Sequence, residues 1–400
     1  MSKSVSPYAV LALILALCAL SSATAAAEQA PGSTAAPAVK IGAIYNLSGA
    51  QAGLGRPSLR GAQLAVKQLN AAGGVLGRQV ELIAYDGKTD PETVQQQTEK
   101  ALTTEGLAAL IGLSDTDMVL AAAPIAAKAQ KVFLTSGATS PRLPQQVPEY
   151  LFLACFGDNA QAAAGAEYAF EALQAKTAYL LFDDDMEYAR LLAHYFKMRF
   201  LELGGTVVLE DSYKGKNPDL SPHLRKFAAL ARQPDLLYIA AGPEDAGRIV
   251  KLIRDAGIAT PIMGGDSFDT PALLQLAGTD ANNTYYTTHI LLDEEASGKQ
   301  VKDFIAAYKA EYGVLPEHAF AALGYDTMLL LADAIKRAGT DTASGIRRAL
   351  QDTKNWQGVT GSISFDHASR VPQKAVSIVR VKDRRLTLAA TVLPQHVPPL

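Results

Sequence analysis

The sequence predicts an α/β fold of two Rossmann-like lobes, each a parallel sheet wound with helices on both faces. Three observations carry this expectation. From Val39 onward, short apolar runs alternate with amphipathic stretches of helical period, the pattern of a doubly wound sheet. The alternation runs twice, over about 39–154 and again over about 160–263. The strand segments are apolar throughout, as parallel strands covered on both faces are. Composition agrees: of 400 residues, 48% are hydrophobic and 19% charged, which is ordinary for a globular chain and far from disorder.

The first 27 residues stand apart. Lys3 precedes an apolar run of 12 residues, Ala9 to Leu20, and the small residues SSATAAA follow. This is the layout of a secretory signal peptide, and the run is too short to span a bilayer. Cleavage after Ala27 satisfies an A-x-A rule; cleavage after Ala25 is the alternative. Loss of Lys3 leaves 36 basic and 40 acidic residues, a net charge of −4. Lipid anchoring at Cys18 is not expected, because Leu17 stands where a small residue is needed. Once Cys18 leaves, Cys155 is alone and no internal disulfide forms. Residues 28–38 read as a flexible leader. No later segment reaches the ~18 apolar residues of a membrane span.

The elements follow in order. Val39 to Tyr45 reads as a buried strand. The loop after it holds Gly53 and Gly55, and a helix runs from Leu59 to Ala72, stopped by Gly73-Gly74. Gln79 to Tyr85 is a strand, and Asp90-Pro91 is an N-cap with Pro in the first turn of a helix reaching about Thr104. Leu107 to Ile111, Val132 to Thr135 and Tyr150 to Ala154 are strands, with a helix over about Met118 to Ala129. The second series has helices near 160–173, 186–203, 220–231 and 244–256. Its strands are Ala178 to Phe182, Thr206 to Leu209, Leu236 to Ala240 and Pro261 to Met263. Helices near 301–312, 318–338 and 343–352 come next, and the first sheet is their expected host. Strands over 362–365, 375–381 and 386–391 end the chain.

Several function classes are excluded or weakened. No basic stripe is present, so nucleic acid is not an expected partner. The Gly53, Gly55 pair lacks the third glycine of a dinucleotide fingerprint: Ser58 stands there, behind Pro57. The six histidines (194, 223, 289, 318, 367 and 396) show no metal-ligand spacing. No nucleophile elbow or P-loop is present. An enzyme is therefore the weakest reading, and neither cofactor nor metal is expected. Asp183-Asp184-Asp185 reads as helix capping and dipole pairing rather than a calcium loop.

The candidate site residues sit where strands end. In IGLSDTDM, Thr116 is placed to offer a hydroxyl at a helix N-terminus, where a carboxylate binds. By spacing alone, Thr116 or Asp117 capping its own helix is the cheaper reading. In VFLTSGATSPRL, Thr139 and the backbone of Gly137 and Ala138 are the candidates, against a simple turn ending at Pro141. Tyr188 can reach across a cleft, and Leu54 faces its mouth. In MGGDSFD, Asp266 follows a strand and suits an ammonium group, against a role as N-cap for the segment after Thr270.

These segments together resemble one family. IGAIYNLSGAQAGLG, GAQLAVKQLNAAGGVLGRQVELIAYDGKTDP, ALIGLSDTDMVLAAAPIA, FLTSGATSPRL, GDNAQ, IVKLIRDAGI, IMGGDSF and ALGYDTMLLLADAI occur in the order found in the leucine/isoleucine/valine-binding proteins. These are the type I periplasmic binding proteins of branched-chain amino acid ABC transporters. The resemblance covers about 39–366. It implies two lobes joined by three hinge crossings, lobe 1 being 39–156 plus 288–358 and lobe 2 being 157–287 plus 359–400. It implies ligand carboxylate on Thr116, with Gly137, Ala138 and Thr139 adding backbone and hydroxyl groups, and ligand ammonium on Asp266, with Tyr188 alongside. Leu54 and Gly242 stand where aromatics are common, and Asp115 and Asp117 put unusual charge beside the carboxylate hydroxyl. The implied function is a periplasmic receptor, expected to be monomeric, that carries a neutral amino acid to membrane permease subunits. An amide, urea or aromatic acid is the alternative ligand, and a sensory module the alternative role.

Overall fold

A computed structural model describes residues 36–400, apart from 296, 297, 367 and 368. The expected signal peptide, Cys18, His367 and all of the leader before residue 36 lie outside the described residues.

Strands β1 (Val39–Tyr45), β2 (Val80–Asp86), β3 (Leu107–Gly112), β4 (Phe133–Thr135) and β5 (Leu151–Leu153) form a parallel sheet in the order β2-β1-β3-β4-β5. Between them run α1 (Ala52–Ala71), α2 (Pro91–Leu102), α3 (Thr116–Lys128) and the single turn α4 (Leu143–Gln146). Strands β3, β4 and β5 are buried throughout because both their sides are covered, whereas the edge strand β2 exposes Glu81 and Ala84. Ile41, Ala43 and Tyr45 of β1 enter one core, and Ile44 enters the other.

The second sheet takes β6 (Thr177–Asp183), β7 (Thr206–Tyr213), β8 (Leu236–Ala240), β9 (Ile262–Gly264) and β10 (Thr284–Thr288), all parallel. Its helices are α5 (Asp158–Glu171), α6 (Glu187–Glu202), α7 (Ser221–Ala228), α8 (Ala246–Asp255) and α9 (Pro271–Ala277). In β8, Leu236, Tyr238 and Ala240 point into one core while Leu237 and Ile239 point into the other. Then come α10 (Lys299–Tyr312), α11 (Ala319–Ala338), α12 (Ala343–Gln351) and a hairpin of β11 (Trp356–Gly358) and β12 (Gly361–Ile363). The last strands, β13 (Val376–Lys382) and β14 (Arg385–Val392), add to the second sheet antiparallel, giving the order β14-β13-β10-β9-β8-β6-β7.

Helix α11 lies across α1, and Leu331 and Ile335 join the first sheet's core. Two glycines make the crossing close. A Cβ on Gly61 would stand 1.9 Å from the Ala321 carbonyl oxygen, and one on Gly324 would stand 1.9 Å from that of Ser58. The carboxyl-terminal tail is tied to α5. Glu167, buried against Arg199 at 2.7 Å, also accepts from Gln395 N at 3.0 Å, and Asn159 Nδ2 donates to Pro398 O at 3.0 Å.

The structure corrects several expectations. Gly53 and Gly55 are not in a loop, because α1 begins at Ala52. Pro57 sits inside this helix and has no N–H for the Gly53 carbonyl. His318 Nε2 donates to that carbonyl instead, at 2.9 Å, so proline costs the helix no unsatisfied acceptor. Gly55 is there because a Cβ would lie 2.1 Å from Asn46 O. Strand β10 was not foreseen, although TYYTT is rich in β-branched and aromatic residues. The boundary drawn after 358 falls inside the β11–β12 hairpin. Ile363 and Phe365 still belong to the first core, Phe365 standing edge-on to Phe152 at 5.5 Å. The acidic run 183–185 does not cap α6 with a side chain: the N-cap is Met186, and Asp183 instead accepts from Asp185 N at 2.9 Å.

Candidate functional site

The carboxyl ends of β3 and β4 and the first turn of α1 face the carboxyl ends of β8 and β9 and the start of α6. Between them is a cleft with about 310 Å³ of space unfilled by atoms, part of it continuous with solvent. Leu54, Asp115, Gly137 and Thr139 line one wall, and Tyr188 and Asp266 line the other. Six of the eight residues singled out from sequence thus meet at one place. Thr116 and Ala138 do not line it. Thr116 is wholly buried, with its hydroxyl unpartnered, and Ala138 is held behind the wall by its N–H on Thr135 Oγ1 at 3.3 Å. The two walls touch: Glu187 N, at the start of α6, donates to Asp117 Oδ2 at 3.3 Å.

Asp266 is gripped from three separate elements. Tyr188 OH donates to Oδ1 at 2.9 Å, Gln161 Nε2 to the same oxygen at 3.2 Å, and His289 Nε2 to Oδ2 at 3.1 Å. A carboxylate accepts only, so His289 carries its proton on Nε2. Among the described residues its Nδ1 has no partner, and its ring stacks on Phe156 at 3.9 Å between centroids. Burial lowers the His289 pKa against the opposing pull of Asp266, and burial pushes that of Tyr188 well up. Gln161 is itself fixed by Thr287 Oγ1, which donates to Oε1 at 2.9 Å. Gly265 leaves room for this arrangement, since a Cβ there would stand 2.3 Å from Tyr188 OH. Asp266 is therefore not the N-cap of α9. That position is Thr270, which makes no side-chain cap bond.

On the opposite wall, β3 ends in Gly112 at φ +131°, a conformation only glycine takes easily. The chain then turns into α3. The cap of α3 is Asp115, not Thr116 or Asp117: its Oδ1 accepts from Met118 N at 3.0 Å. Burial, and then the charge of Asp117, push the Asp115 pKa up to about 6. Hydrogen bonding from Met118 N, the Gln51 side chain and Asp117 N opposes this. Behind the cleft floor, Asp158 takes Gln161 Nε2 on Oδ1 at 3.0 Å, and among the described residues its Oδ2 has no hydrogen-bond partner. Burial raises its pKa to about 8, with the nearby Thr139 hydroxyl opposing.

Sequence reasoning missed Gln51, Ser114, Met186, Pro243, Ser267 and Phe320, which complete the lining. Ser114 stood in a loop already singled out, and its hydroxyl is unpartnered. Phe320 arrives on α11 from far along the chain, and nothing local in the sequence marks it. Among the described residues, no group of three or more His, Cys, Asp or Glu is placed to hold a metal ion, and no helix is long and apolar enough to cross a membrane. A wider groove of about 1470 Å³ runs along Ile290, Val301, Val359 and Lys374. It is larger, but of the site residues singled out from the sequence it includes none.

A sequence profile of periplasmic binding proteins matches residues 38–385. The chain belongs to the periplasmic binding protein family. Among its relatives in this family, a Leu/Ile/Val-binding protein homolog from Brucella melitensis is 26% identical over 92% of this chain and 98% of its own length. The solved leucine binding protein LivK of Thermotoga maritima is 30% identical, covers 89% of this chain and 99% of its own, and superposes with a TM-score of 0.82. The branched-chain amino acid transporter substrate binding protein LivJ of Streptococcus pneumoniae, solved with isoleucine, is 31% identical over 89% of this chain and all of its own, also with a TM-score of 0.82. The family's type I fold accounts for the paired sheets and for the cleft between them.

Proposed function

We propose that this chain is the periplasmic ligand receptor of an ABC importer, exported by its signal peptide and working as a monomer that docks on membrane permease subunits. The ligand is a small solute with a protonated nitrogen, and the neutral amino acids bound by this chain's relatives, such as isoleucine, together with their amine analogues are the classes to test. One observation carries the reading: Asp266, buried at the cleft and held on both oxygens by neutral donors, is a fixed anion with room for one more donor. The isoleucine in the LivJ relative supports the ligand class. The two lobes, 39–156 with 288 to about 365 and 157–287 with the remainder, close on the ligand. A ligand touching both walls favours the closed form by its differential affinity for it.

The test is a thermal-shift screen of residues 28–400 against amino acids, amines, amides, urea and small aromatic acids. Ligand at ~100 times its Kd adds about 2.7 kcal/mol of stability. Asp266→Ala is expected to weaken binding of the best amine-bearing ligand by at least about tenfold, since a charge-assisted hydrogen bond is worth ~1.5–3 kcal/mol. Unchanged affinity in that variant would sink the proposal for this site.

A further inference from the structure

The walls of the cleft carry like charge, and that narrows the ligand. Asp266 stands on one wall and Asp115 on the other. The N-terminus of α3 is the place where a ligand carboxylate would seek backbone amides. Here the chain's own carboxylate has taken it, with Asp115 Oδ1 on Met118 N at 3.0 Å. Asp115 is only 6% exposed, yet it lines the cleft. Among the described residues the neighbouring Ser114 hydroxyl has no partner. No Lys, Arg or His among the described residues lines the cleft. A zwitterion satisfies Asp266 with its ammonium but brings a second anion toward Asp115 in a poorly solvated space, where like charges repel strongly. A cation without a carboxylate meets both acids with no such opposition.

We propose that the cleft selects a small organic cation lacking a carboxylate, a primary amine or amidinium, over the matching amino acid. This rests on the reading that the cleft is the ligand site and that Asp266 takes the ligand's nitrogen; it adds that the other wall rejects the carboxylate. The selectivity resides in Asp115.

The test is calorimetric titration of residues 28–400 at pH 7.5 with matched pairs: leucine and 3-methylbutan-1-amine, valine and 2-methylpropan-1-amine, lysine and cadaverine. At least one amine is expected to bind tenfold or more tightly than its amino acid. Asp115→Asn keeps a good capping side chain and removes the charge, so it should narrow that ratio at least fivefold by strengthening the amino acid. Tighter or equal binding of the amino acids, no binding by any amine, or an unchanged ratio in Asp115→Asn overturns the inference. Asp266→Asn separates the two levels. If the preferred ligand carries a carboxylate and the variant loses it, this inference fails and the site stands. If the variant binds as tightly as the parent, the site itself is wrong.

Discussion

Replacing Gly324 by Ala sets two opposite effects against each other. Gly324 lies inside α11, where alanine is the better helix former by about 1 kcal/mol. Propensity alone therefore predicts a stabilised protein. Packing predicts the reverse. The new Cβ would stand 1.9 Å from the Ser58 carbonyl oxygen, whereas ordinary contact begins at 3.4 Å. The obstacle is backbone, so no side-chain rotation relieves it, and α1 and α11 must part by roughly 1.5 Å. Overpacking of a tight core costs about 1–3 kcal/mol, and a backbone clash belongs at the upper end. The net expectation is a loss of about 2 kcal/mol. With a urea slope near 3 kcal/mol/M, the midpoint falls by about 0.7 M. The chain's single tryptophan, Trp356, packs against the first sheet's core, so its fluorescence reports on the affected lobe. Gly53→Ala is the control: it lies in the first turn of α1, and its Cβ would meet nothing within 4 Å. That variant should gain up to about 1 kcal/mol. A midpoint raised in Gly324→Ala as it is in Gly53→Ala would refute the close-crossing argument.

Three further outcomes are expected. Arg199→Met leaves the buried Glu167 carboxylate without its 2.7 Å partner and should cost about 3–5 kcal/mol, read by urea unfolding. Adding Glu167→Gln to it should restore part of the loss, and a double variant as weak as the single would count against a buried-charge penalty. The folded-state pKa of Asp158 is raised to about 8, above about 3.9 for an unfolded aspartate. The folded state therefore keeps a proton that the unfolded chain releases. The stability this contributes is full below about pH 4 and is lost as pH rises through about 8. Asp158→Asn should flatten the decline of the urea midpoint between pH 5 and 8.5, and parallel profiles in parent and variant would contradict the assignment. Cys155 is fully buried and its thiol pKa is pushed up by that burial, so a thiol reagent should label the native mature protein only at the rate of its unfolding.

Much of the fold was legible in the sequence because parallel strands announce themselves as short apolar runs and helices as periodic ones. Asp90-Pro91 gave the start of α2 directly, and its side chain accepts from Thr93 N at 2.7 Å. The failures have physical causes. Glycine and proline near 53–57 imitate a loop, but here tertiary contacts override local propensity: Asn46 O approaches Gly55, and His318 takes the carbonyl that Pro57 leaves free. The cleft's acids were visible as residues past strand ends, whereas their grip was not. Gln161, Tyr188 and His289 converge on Asp266 from 105, 78 and 23 residues away, and no spacing rule encodes that. The cap went to Asp115 rather than to its neighbours because the turn after Gly112 fixes which side chain faces the free amides. That choice depends on one residue of register.

The cleft's two walls differ in how many residues hold them. Asp266 is fixed by partners on α5, on α6 and just past β10, so any substitution there leaves three buried donors to be satisfied anew. Asp115, Ser114 and Leu54 lie at the surface of the opposite wall and share few bonds with the interior. Drift in what this receptor captures therefore has an easy direction: single substitutions at Leu54, Ser114 or Asp115, which line the cleft, can retune selectivity while the Asp266 wall stays intact. A designer seeking a sensor for a new ligand should randomise those few positions first and leave the wired half alone.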